Sequence, residues 1–454
     1  VVNDDGGTLT VENFPLFIDN TSVNSGIPTL VNAGIHVVSE QNQEGYAASI
    51  TGDCDANGNI NLALGDVKQC TITNDDIAPT LNVTKIVVNN NGGTLQVSDF
   101  PLFVNGSSVV SGTLNVLSAG NYLVTETKHP DYEATISGDC GENGSIKLSV
   151  GQNKTCIITN NDIAPKLTIT KVVVNDNGGT LQVEDFPLFI DNVRVTSGVP
   201  FSELVVGSHV VSEEVRAGYA SSISGDCDAN GNIDLALRDV KQCTITNDDI
   251  APTLNVTKIV VNNNGGTLQV NDFPLFIDEL SVTSGVANEV LPGKHKVSET
   301  NQNGYAPTFS GDCDAEGNVE ISLGQDKTCT ITNDDIAPLL TVTKVVVNGN
   351  GGTLQVSDFP LFIDETQVTS GVQNVLNVGS YLVSETQDPG YAASISGDCD
   401  VNGNIDLALG DVKQCTITND DISPIVTVTK VVVNNDGGTL TVEKFPLFID
   451  NTSV

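Results

Sequence analysis

The chain has 454 residues, of which 39% are hydrophobic and only 17% are charged. Its 57 Asp and Glu residues against 19 Lys and Arg residues give a net charge of −38 at pH 7, so nucleic acid and anionic membrane surfaces are poor partners. An acidic excess of this size favours cations and solvated surfaces, and self-repulsion keeps a long chain soluble.

One sequence unit recurs along the whole chain with a period of about 86 residues. The period is clearest in a Lys that lies within an apolar segment, at Lys85, Lys171, Lys258, Lys344 and Lys430. We predict domains at 1–77 (without its first strand), 78–163, 164–250, 251–336 and 337–422, and the start of a further repeat at 423–454. Such an array indicates small domains that supply length and strength rather than substrate turnover.

Within a repeat, nearly every segment has the two-residue period of a β-strand. Residues 81–87 alternate and are rich in β-branched side chains, and NNNGG at 89–93 favours a tight turn. Further strands are predicted at TLQV (94–97), 100–104, 115–117, 121–126, 132–137, 145–150 and 155–160. Short strands separated by frequent turns predict an all-β fold, a tandem array of Ig-like β-sandwiches.

Each repeat ends in a short linker that contains Pro. The linkers are DDIAP at 75–79, 248–252 and 334–338, NDIAP at 161–165 and DDISP at 420–424. Because short Pro-containing linkers limit hinge motion, we expect a semi-rigid rod.

The ten Cys residues fall into five evenly spaced pairs. No CxxC motif occurs and no His lies near a pair, so the spacing argues against zinc. One disulfide per repeat is the economical interpretation, and it indicates an oxidising extracellular setting; the alternative is ten reduced structural thiols. The predicted pairs are Cys54–Cys70, Cys140–Cys156, Cys227–Cys243, Cys313–Cys329 and Cys399–Cys415.

Three polar side chains of each repeat lie on the apolar faces of their predicted strands, for example Lys85, Glu126 and Asn160. Because burial of an unpaired charge costs free energy, we expect the three groups to meet. Desolvation favours a neutral amine beside a neutral carboxylic acid, and this amine can attack the Asn carboxamide while the Glu moves the protons. The alternative is a buried, hydrogen-bonded trio that does not react.

These residues resemble the landmarks of the CnaB/SpaA-type domains of bacterial or archaeal surface fibres and pilins. The opening-strand Lys lies in TVTKVVVN at Lys344, the "YxLxET…PxGY" signature is matched from Tyr381 through Glu385 to Tyr391, and the closing Asn ends CTITN at Asn419. The similarity extends over every repeat. It implies a prealbumin-like fold and spontaneous isopeptide bonds inside the domains.

The resemblance assigns specific residues to these bonds. It implies the pairs Lys85–Asn160, Lys171–Asn247, Lys258–Asn333 and Lys344–Asn419, with Glu126, Glu213, Glu299 and Glu385 as proton shuttles. Glu40 and Asn74 of the first repeat, and Lys430 of the last, are expected to have partners outside this stretch of sequence.

Two weaker patterns concern ligands and modification. Alternating oxygen side chains suggest the first half of a calcium loop, although an Asn-Gly hairpin turn explains them equally well and we expect no other cofactor. These residues are Asp53, Asp55 and Asn57, Asp226, Asp228 and Asn230, and Asp398, Asp400 and Asn402. Glycosylation sequons lie at Asn82, Asn105, Asn153 and Asn255, and strand alternation points Asn82 and Asn255 outward.

Together these features predict a secreted or surface-borne fibre or stalk protein whose domains are crosslinked and disulfide-bonded. The alternative function is a cell-surface adhesin that binds a host matrix, a glycan or a neighbouring cell. We expect no enzyme activity beyond one self-crosslinking turnover per domain and no membrane insertion in this stretch. The expected partners are further copies of the chain in a filament, joined by strand donation or by simple continuation of the chain.

Overall fold

A computed structural model describes residues 1–454, which form two compact units. The first unit contains residues 1–174, 180–216 and 220–248, and the second contains residues 175–179, 217–219 and 249–454. Regular structure consists of strands and six short 3₁₀ turns, which confirms the all-β prediction. No helix has the length and the hydropathy that crossing a bilayer requires.

The strands follow the repeats of the sequence. Residues 1–77 contain β1 (Leu16–Ile18), β2 (Thr21–Val23), β3 (Gly34–Glu40), β4 (Tyr46–Gly52), β5 (Asn59–Leu62) and β6 (Cys70–Asp76). Residues 78–163 contain β7 (Thr80–Val88), β8 (Leu102–Val104), β9 (Ser107–Val109), β10 (Leu114–Val116), β11 (Gly120–Glu126), β12 (Tyr132–Gly138), β13 (Ser145–Leu148) and β14 (Asn153–Asp162). Residues 164–250 contain β15 (Lys166–Val174), β16 (Leu188–Ile190), β17 (Val193–Val195), β18 (Gly207–Glu213), β19 (Tyr219–Gly225), β20 (Asn232–Leu235) and β21 (Val240–Asp249).

The remaining repeats have the same order of elements. Residues 251–336 contain β22 (Thr253–Val261), β23 (Leu275–Ile277), β24 (Leu280–Val282), β25 (Ala287–Glu289), β26 (Gly293–Glu299), β27 (Tyr305–Gly311), β28 (Asn318–Ile321) and β29 (Asp326–Asp335). Residues 337–422 contain β30 (Leu339–Val347), β31 (Leu361–Ile363), β32 (Thr366–Val368), β33 (Gln373–Val375), β34 (Gly379–Glu385), β35 (Tyr391–Gly397), β36 (Asn404–Leu407) and β37 (Val412–Asp421). The last segment contains β38 (Phe448–Ile449) and β39 (Thr452–Ser453). The 3₁₀ turns are Val11–Asn13, Val97–Asp99, Val183–Asp185, Val270–Asp272, Val356–Asp358 and Val442–Lys444.

Each complete repeat is a sandwich of two sheets. In residues 78–163 one sheet has the order β10-β7-β14-β12 and the other has the order β13-β11-β8-β9. All neighbours are antiparallel except β7 and β14, the first and last strands, which run parallel side by side. The repeats at 251–336 and 337–422 have the same two sheets. At 164–250 the edge strand is replaced by a single bridge between Leu167 and Phe201.

The predicted alternation of β7 matches its burial. Leu81 and Val83 are fully buried and Lys85 is 4% exposed, whereas the residues between them lie on the half-buried outer face. Cys156 and Ile158 of β14 complete the core from the neighbouring strand. One predicted strand is wrong: TLQV at 94–97 forms no strand, and Val97 begins a 3₁₀ turn in which the Gln96 N–H donates to Asp99 Oδ2 (2.7 Å).

The first two repeats, residues 1–77 and 78–163, are joined by backbone hydrogen bonds as well as by the linker. Between residues 1–77 and 78–163, the Ile77 N–H donates to the Gly45 carbonyl (2.9 Å) and the Ile77 carbonyl accepts from the Gly151 N–H (2.6 Å). The Ala119 N–H also donates to the Asp5 carbonyl (2.7 Å). The loops on both sides of this linker are therefore attached to each other.

Candidate crosslinking site

The predicted Lys, Glu and Asn side chains meet in each of the four complete repeats. In residues 78–163, Lys85 lies in the middle of β7, Glu126 is the last residue of β11 and Asn160 lies near the end of β14. The parallel register places Ile158 opposite Lys85, so Asn160 lies two residues further along the neighbouring strand. Glu126 comes from the opposing sheet, and the three side chains meet inside the sandwich.

A short ion pair joins the Lys and the Glu in every complete repeat. The Nζ to Oε2 distances are 2.5 Å for Lys85–Glu126, 2.8 Å for Lys171–Glu213, 2.8 Å for Lys258–Glu299 and 2.6 Å for Lys344–Glu385. The Lys side chains are 0% exposed and the Glu side chains are 2–6% exposed. Such close pairing is what offsets the cost of burying these groups.

The surroundings of the amine favour its neutral form. Burial lowers the pKa of Lys85, Lys171, Lys258 and Lys344, and this effect exceeds the opposing effect of the paired Glu. The same Nζ lies over an aromatic ring, in residues 251–336 that of Phe273 at 4.5 Å from the centroid. In each of the four complete repeats, the first Phe of the FPLF segment is thus a core residue beneath the amine.

The Asn carboxamide is buried beside the pair, and its orientation differs between repeats. Asn333 Nδ2 donates to Glu299 Oε1 (2.6 Å), whereas Asn247 Oδ1 accepts a hydrogen bond from Lys171 Nζ. Asn160 Oδ1 and Asn419 Oδ1 are buried without a hydrogen-bond partner. A buried carbonyl oxygen without a hydrogen-bond partner is costly.

The two incomplete repeats hold parts of the same site. In residues 1–77, Asn74 Nδ2 donates to Glu40 Oε1, and Glu40 Oε2 is buried without a partner. In the last segment Lys430 is exposed, with its Nζ 4.9 Å from the centre of the Phe445 ring. Neither incomplete repeat contains the Lys, the Glu and the Asn together.

The arrangement permits one amide transfer per complete repeat. A neutral Lys Nζ can attack Asn Cγ, forming the new C–N bond while the bond from Cγ to Nδ2 breaks and ammonia leaves. The Glu carboxyl can take a proton from the attacking nitrogen and deliver one to the departing nitrogen, and is regenerated. No further reactant is required.

A second polar cluster beside the site was not predicted from the sequence. The Tyr132 hydroxyl donates to Asn89 Oδ1 (2.5 Å), and Asp162 Oδ2 accepts from the N–H groups of Gly93 (2.8 Å) and Asn91 (2.9 Å). A Cβ at Gly93 would lie 2.3 Å from the Tyr132 hydroxyl, so Gly is required there. The sequence does contain a signal that could have revealed this cluster. A Tyr recurs in every complete copy, and an Asp recurs two residues after the Asn of the site.

Disulfides join all five Cys pairs, Cys54–Cys70, Cys140–Cys156, Cys227–Cys243, Cys313–Cys329 and Cys399–Cys415. No free Cys remains. Cys156 lies on the strand that carries Asn160, and both residues face the core. The bond therefore ties the Asn strand to the loop that follows β12.

The candidate calcium ligands form hairpin turns. Asp55 Oδ1 accepts from the N–H groups of Asn57 (2.9 Å) and Asn59 (2.8 Å), and Asp53 Oδ2 accepts from the Gln69 N–H (2.7 Å). Hydrogen bonds from the side chain and backbone of Asn59 lower the pKa of Asp55. The same contacts recur at Asp226, Asp228 and Asn230 and at Asp398, Asp400 and Asn402. These contacts are typical of an Asn-Gly hairpin turn, which the sequence analysis gave as the alternative to a calcium loop.

The sequons lie in different surroundings. Asn82 and Asn255 are on the outer face as alternation predicts, but both are half-buried, and their Oδ1 atoms are shielded from solvent. Asn105 and Asn153 are exposed. Exposure therefore favours the second pair as glycan acceptors.

The fold and the buried polar trio define a class of tandem, disulfide-bonded β-sandwich repeat proteins. A sequence profile described as the Prealbumin-like fold domain matches residues 76–158, 162–244, 249–331 and 335–417. The chain belongs to this family, and the resemblance inferred from its motifs is confirmed.

Solved structures give only distant similarities. The Bacillus anthracis TIE protein is 16% identical over 92% of this chain and 76% of its own, with a TM-score of 0.35. Two B repeat units of the collagen binding protein of Staphylococcus aureus are 14% identical over 76% of this chain and 99% of theirs (TM-score 0.17). The pilus adhesin SpaC from Lactobacillus rhamnosus GG is 14% identical over 85% of this chain and 55% of its own (TM-score 0.20). No curated protein matches the chain.

Proposed function

We propose that the chain is a load-bearing part of an extracellular fibre or stalk whose complete repeats each seal themselves with a Lys–Asn isopeptide bond. The observation that carries the proposal is the burial of Lys, Glu and Asn together in all four complete repeats, with the Lys side chains fully shielded from solvent. A lowered Lys pKa supports the reactive interpretation over a permanent ion pair.

The position of the bond supports a mechanical role. Because β7 and β14 are the first and last strands of their repeat, tension along the chain enters at one and leaves at the other. A covalent bond between Lys85 and Asn160 would transmit that tension directly, so the strands between them would bear none of it. The five disulfides support an oxidising, extracellular location.

The test is the mass of the intact, oxidised chain. We expect it to be lower than the sequence mass by one ammonia for each of the four complete repeats and by two hydrogens for each disulfide. Tryptic digestion should yield a branched peptide that joins Lys258 to Asn333. Glu299→Gln should abolish that peptide alone, because the carboxyl that moves the protons is lost while the side-chain volume is kept.

The matched control is Glu320→Gln, which changes an exposed Glu of the same repeat and should leave all four ammonia losses intact. Unlinked Lys258 and Asn333 peptides from the folded, oxidised parent chain would refute the proposal.

A further inference from the structure

Ser221 makes the site at Lys171, Glu213 and Asn247 different from the others. Its hydroxyl donates to Glu213 Oε1 at 2.7 Å. In residues 251–336 the equivalent oxygen, Glu299 Oε1, instead accepts from Asn333 Nδ2 at 2.6 Å, and Glu40 Oε1 accepts likewise from Asn74. Ser221 therefore occupies the position on the carboxylate that the Asn uses at Glu299 and Glu40. At the other two complete sites, Glu126 Oε1 and Glu385 Oε1 have no hydrogen-bond partner and are open to the Asn.

The Asn of this repeat has a different orientation. Asn247 presents its Oδ1 to Lys171 Nζ and makes no hydrogen bond from Nδ2 to Glu213 Oε1 of the kind found at Asn333. The atom that must leave as ammonia is thus not held at the carboxyl that must give it a proton.

No other repeat has a hydroxyl at this position. Two residues after the conserved Tyr, the other copies have Ala48, Ala134, Pro307 and Ala393, and none of these side chains can donate a hydrogen bond. In all four of these repeats that residue pairs directly across the sheet with the Asn of the site, as Ala134 does with Asn160. The position is therefore next to the reacting group.

We propose that Ser221 is a positioning residue that slows crosslinking at Lys171–Asn247 relative to the other sites of the same chain. The inference rests on the proposed isopeptide reaction. For Asn247 Nδ2 to collect its proton, the hydrogen bond from Ser221 to Glu213 must first break. Losing one hydrogen bond of ordinary strength corresponds to a rate lower by about three- to tenfold.

The test compares sites within one molecule. The full chain is synthesised in an oxidising cell-free system, samples are quenched in acid denaturant over time, and the linked tryptic peptides of the four sites are quantified. We expect the peptide linking Lys171 to Asn247 to appear about three- to tenfold more slowly than that linking Lys85 to Asn160. Ser221→Ala should remove the delay, and Ala134→Ser should transfer a delay to Lys85–Asn160.

Ser221→Thr is the conservative control, since it keeps the hydroxyl and should keep the delay, while the other three sites report on folding in each variant. Equal rates at the two sites of the parent, or a Thr variant as fast as the Ala variant, would overturn the role of Ser221 and leave the crosslinking proposal intact. The absence of every linked peptide would overturn both.

Discussion

At the residue scale, Asp335 shows how one buried carboxylate organises the turn beside a crosslinking site. It is 2% exposed and accepts from the N–H groups of Asn263 (3.0 Å), Asn264 (2.9 Å) and Gly266 (2.7 Å). Burial alone would raise the pKa of Asp335, but the hydrogen bonds from Gly266, Asn264 and Asn263 together lower it below 3.8. The ionised form is therefore part of the folded structure.

This pKa predicts an acid sensitivity. Because the folded pKa lies below the unfolded value of 3.8, the stabilisation is complete above that pH and is lost as the pH falls through the folded pKa. We expect Asp335→Asn to lower the free energy of unfolding at neutral pH by about 1–3 kcal/mol and to flatten the loss of stability below about pH 4. Thermal unfolding across pH measures both effects.

The comparison variant is Asp334→Asn, since Asp334 is the exposed neighbour on the same strand. It should unfold like the parent at every pH. An Asp335→Asn chain with the acid profile of the parent would contradict the assigned role.

The residues of the site were predictable to different degrees. Strand alternation alone placed Lys85, Glu126 and Asn160 on apolar faces, because the side-chain period of a strand is fixed. The orientation of the Asn carboxamide was not predictable, since it involves partners that lie distant in sequence, such as Lys171 for Asn247. The roles of Tyr132 and Asp162 were likewise hidden, because a recurring residue in the sequence does not reveal its hydrogen-bond partner.

At the scale of the element, local hydrogen bonds explain where strand prediction fails. TLQV at 94–97 has an alternating pattern typical of a strand, yet Asp99 caps the Gln96 N–H and the chain forms a 3₁₀ turn. Strands as short as β8 and β9 do form, and each is paired with a neighbour: β8 pairs with β9 on one side and with β11 on the other. Pairing with a neighbouring strand therefore decides whether a short alternating segment forms a strand or a 3₁₀ turn.

The disulfide should stabilise its pair of elements independently of the isopeptide bond. Cys313 and Cys329 close a loop of sequence separation 16, so Cys313→Ala with Cys329→Ala should lower the free energy of unfolding by about 3 kcal/mol. The measurement is best made in the Glu299→Gln background, where no crosslink masks the transition. Denaturant unfolding gives the difference, with the same background carrying both Cys as the reference.

An unchanged denaturant midpoint in that comparison would show that the disulfide does not contribute to the free energy of unfolding. The Glu299→Gln chain treated with a reducing agent provides an independent check, since its residues 251–336 should approach the Ala variant in stability.

At the scale of the whole molecule, the repeats predict a distinct response to force. Lys171 and Asn247 are 76 residues apart, and the disulfide Cys227–Cys243 keeps 16 of these residues from extending. Unfolding the segment with that disulfide intact would therefore lengthen the chain by about 200 Å. We expect single-molecule stretching of the parent to lack extensions of this size. The variant with Glu126, Glu213, Glu299 and Glu385 all changed to Gln should show one such extension for each of its complete repeats.

The tandem repetition and the all-β class were predictable from the sequence, because each repeat has the same spacing of apolar strands and turns. The attachment of residues 1–77 to residues 78–163 was not, since the hydrogen bonds from Ile77 to Gly45 and from Gly151 to Ile77 involve backbone groups that every sequence possesses. Linker composition indicated only that the connection is short.

The nesting of the two covalent links also bears on proteolysis. The disulfide Cys227–Cys243 lies wholly within the segment bounded by Lys171 and Asn247, so a sealed repeat would be a ring inside a ring. A protease that cuts one peptide bond anywhere in that outer ring would leave both halves of the molecule attached. A single cleavage in this segment would therefore not interrupt the covalent path that carries tension through the repeat.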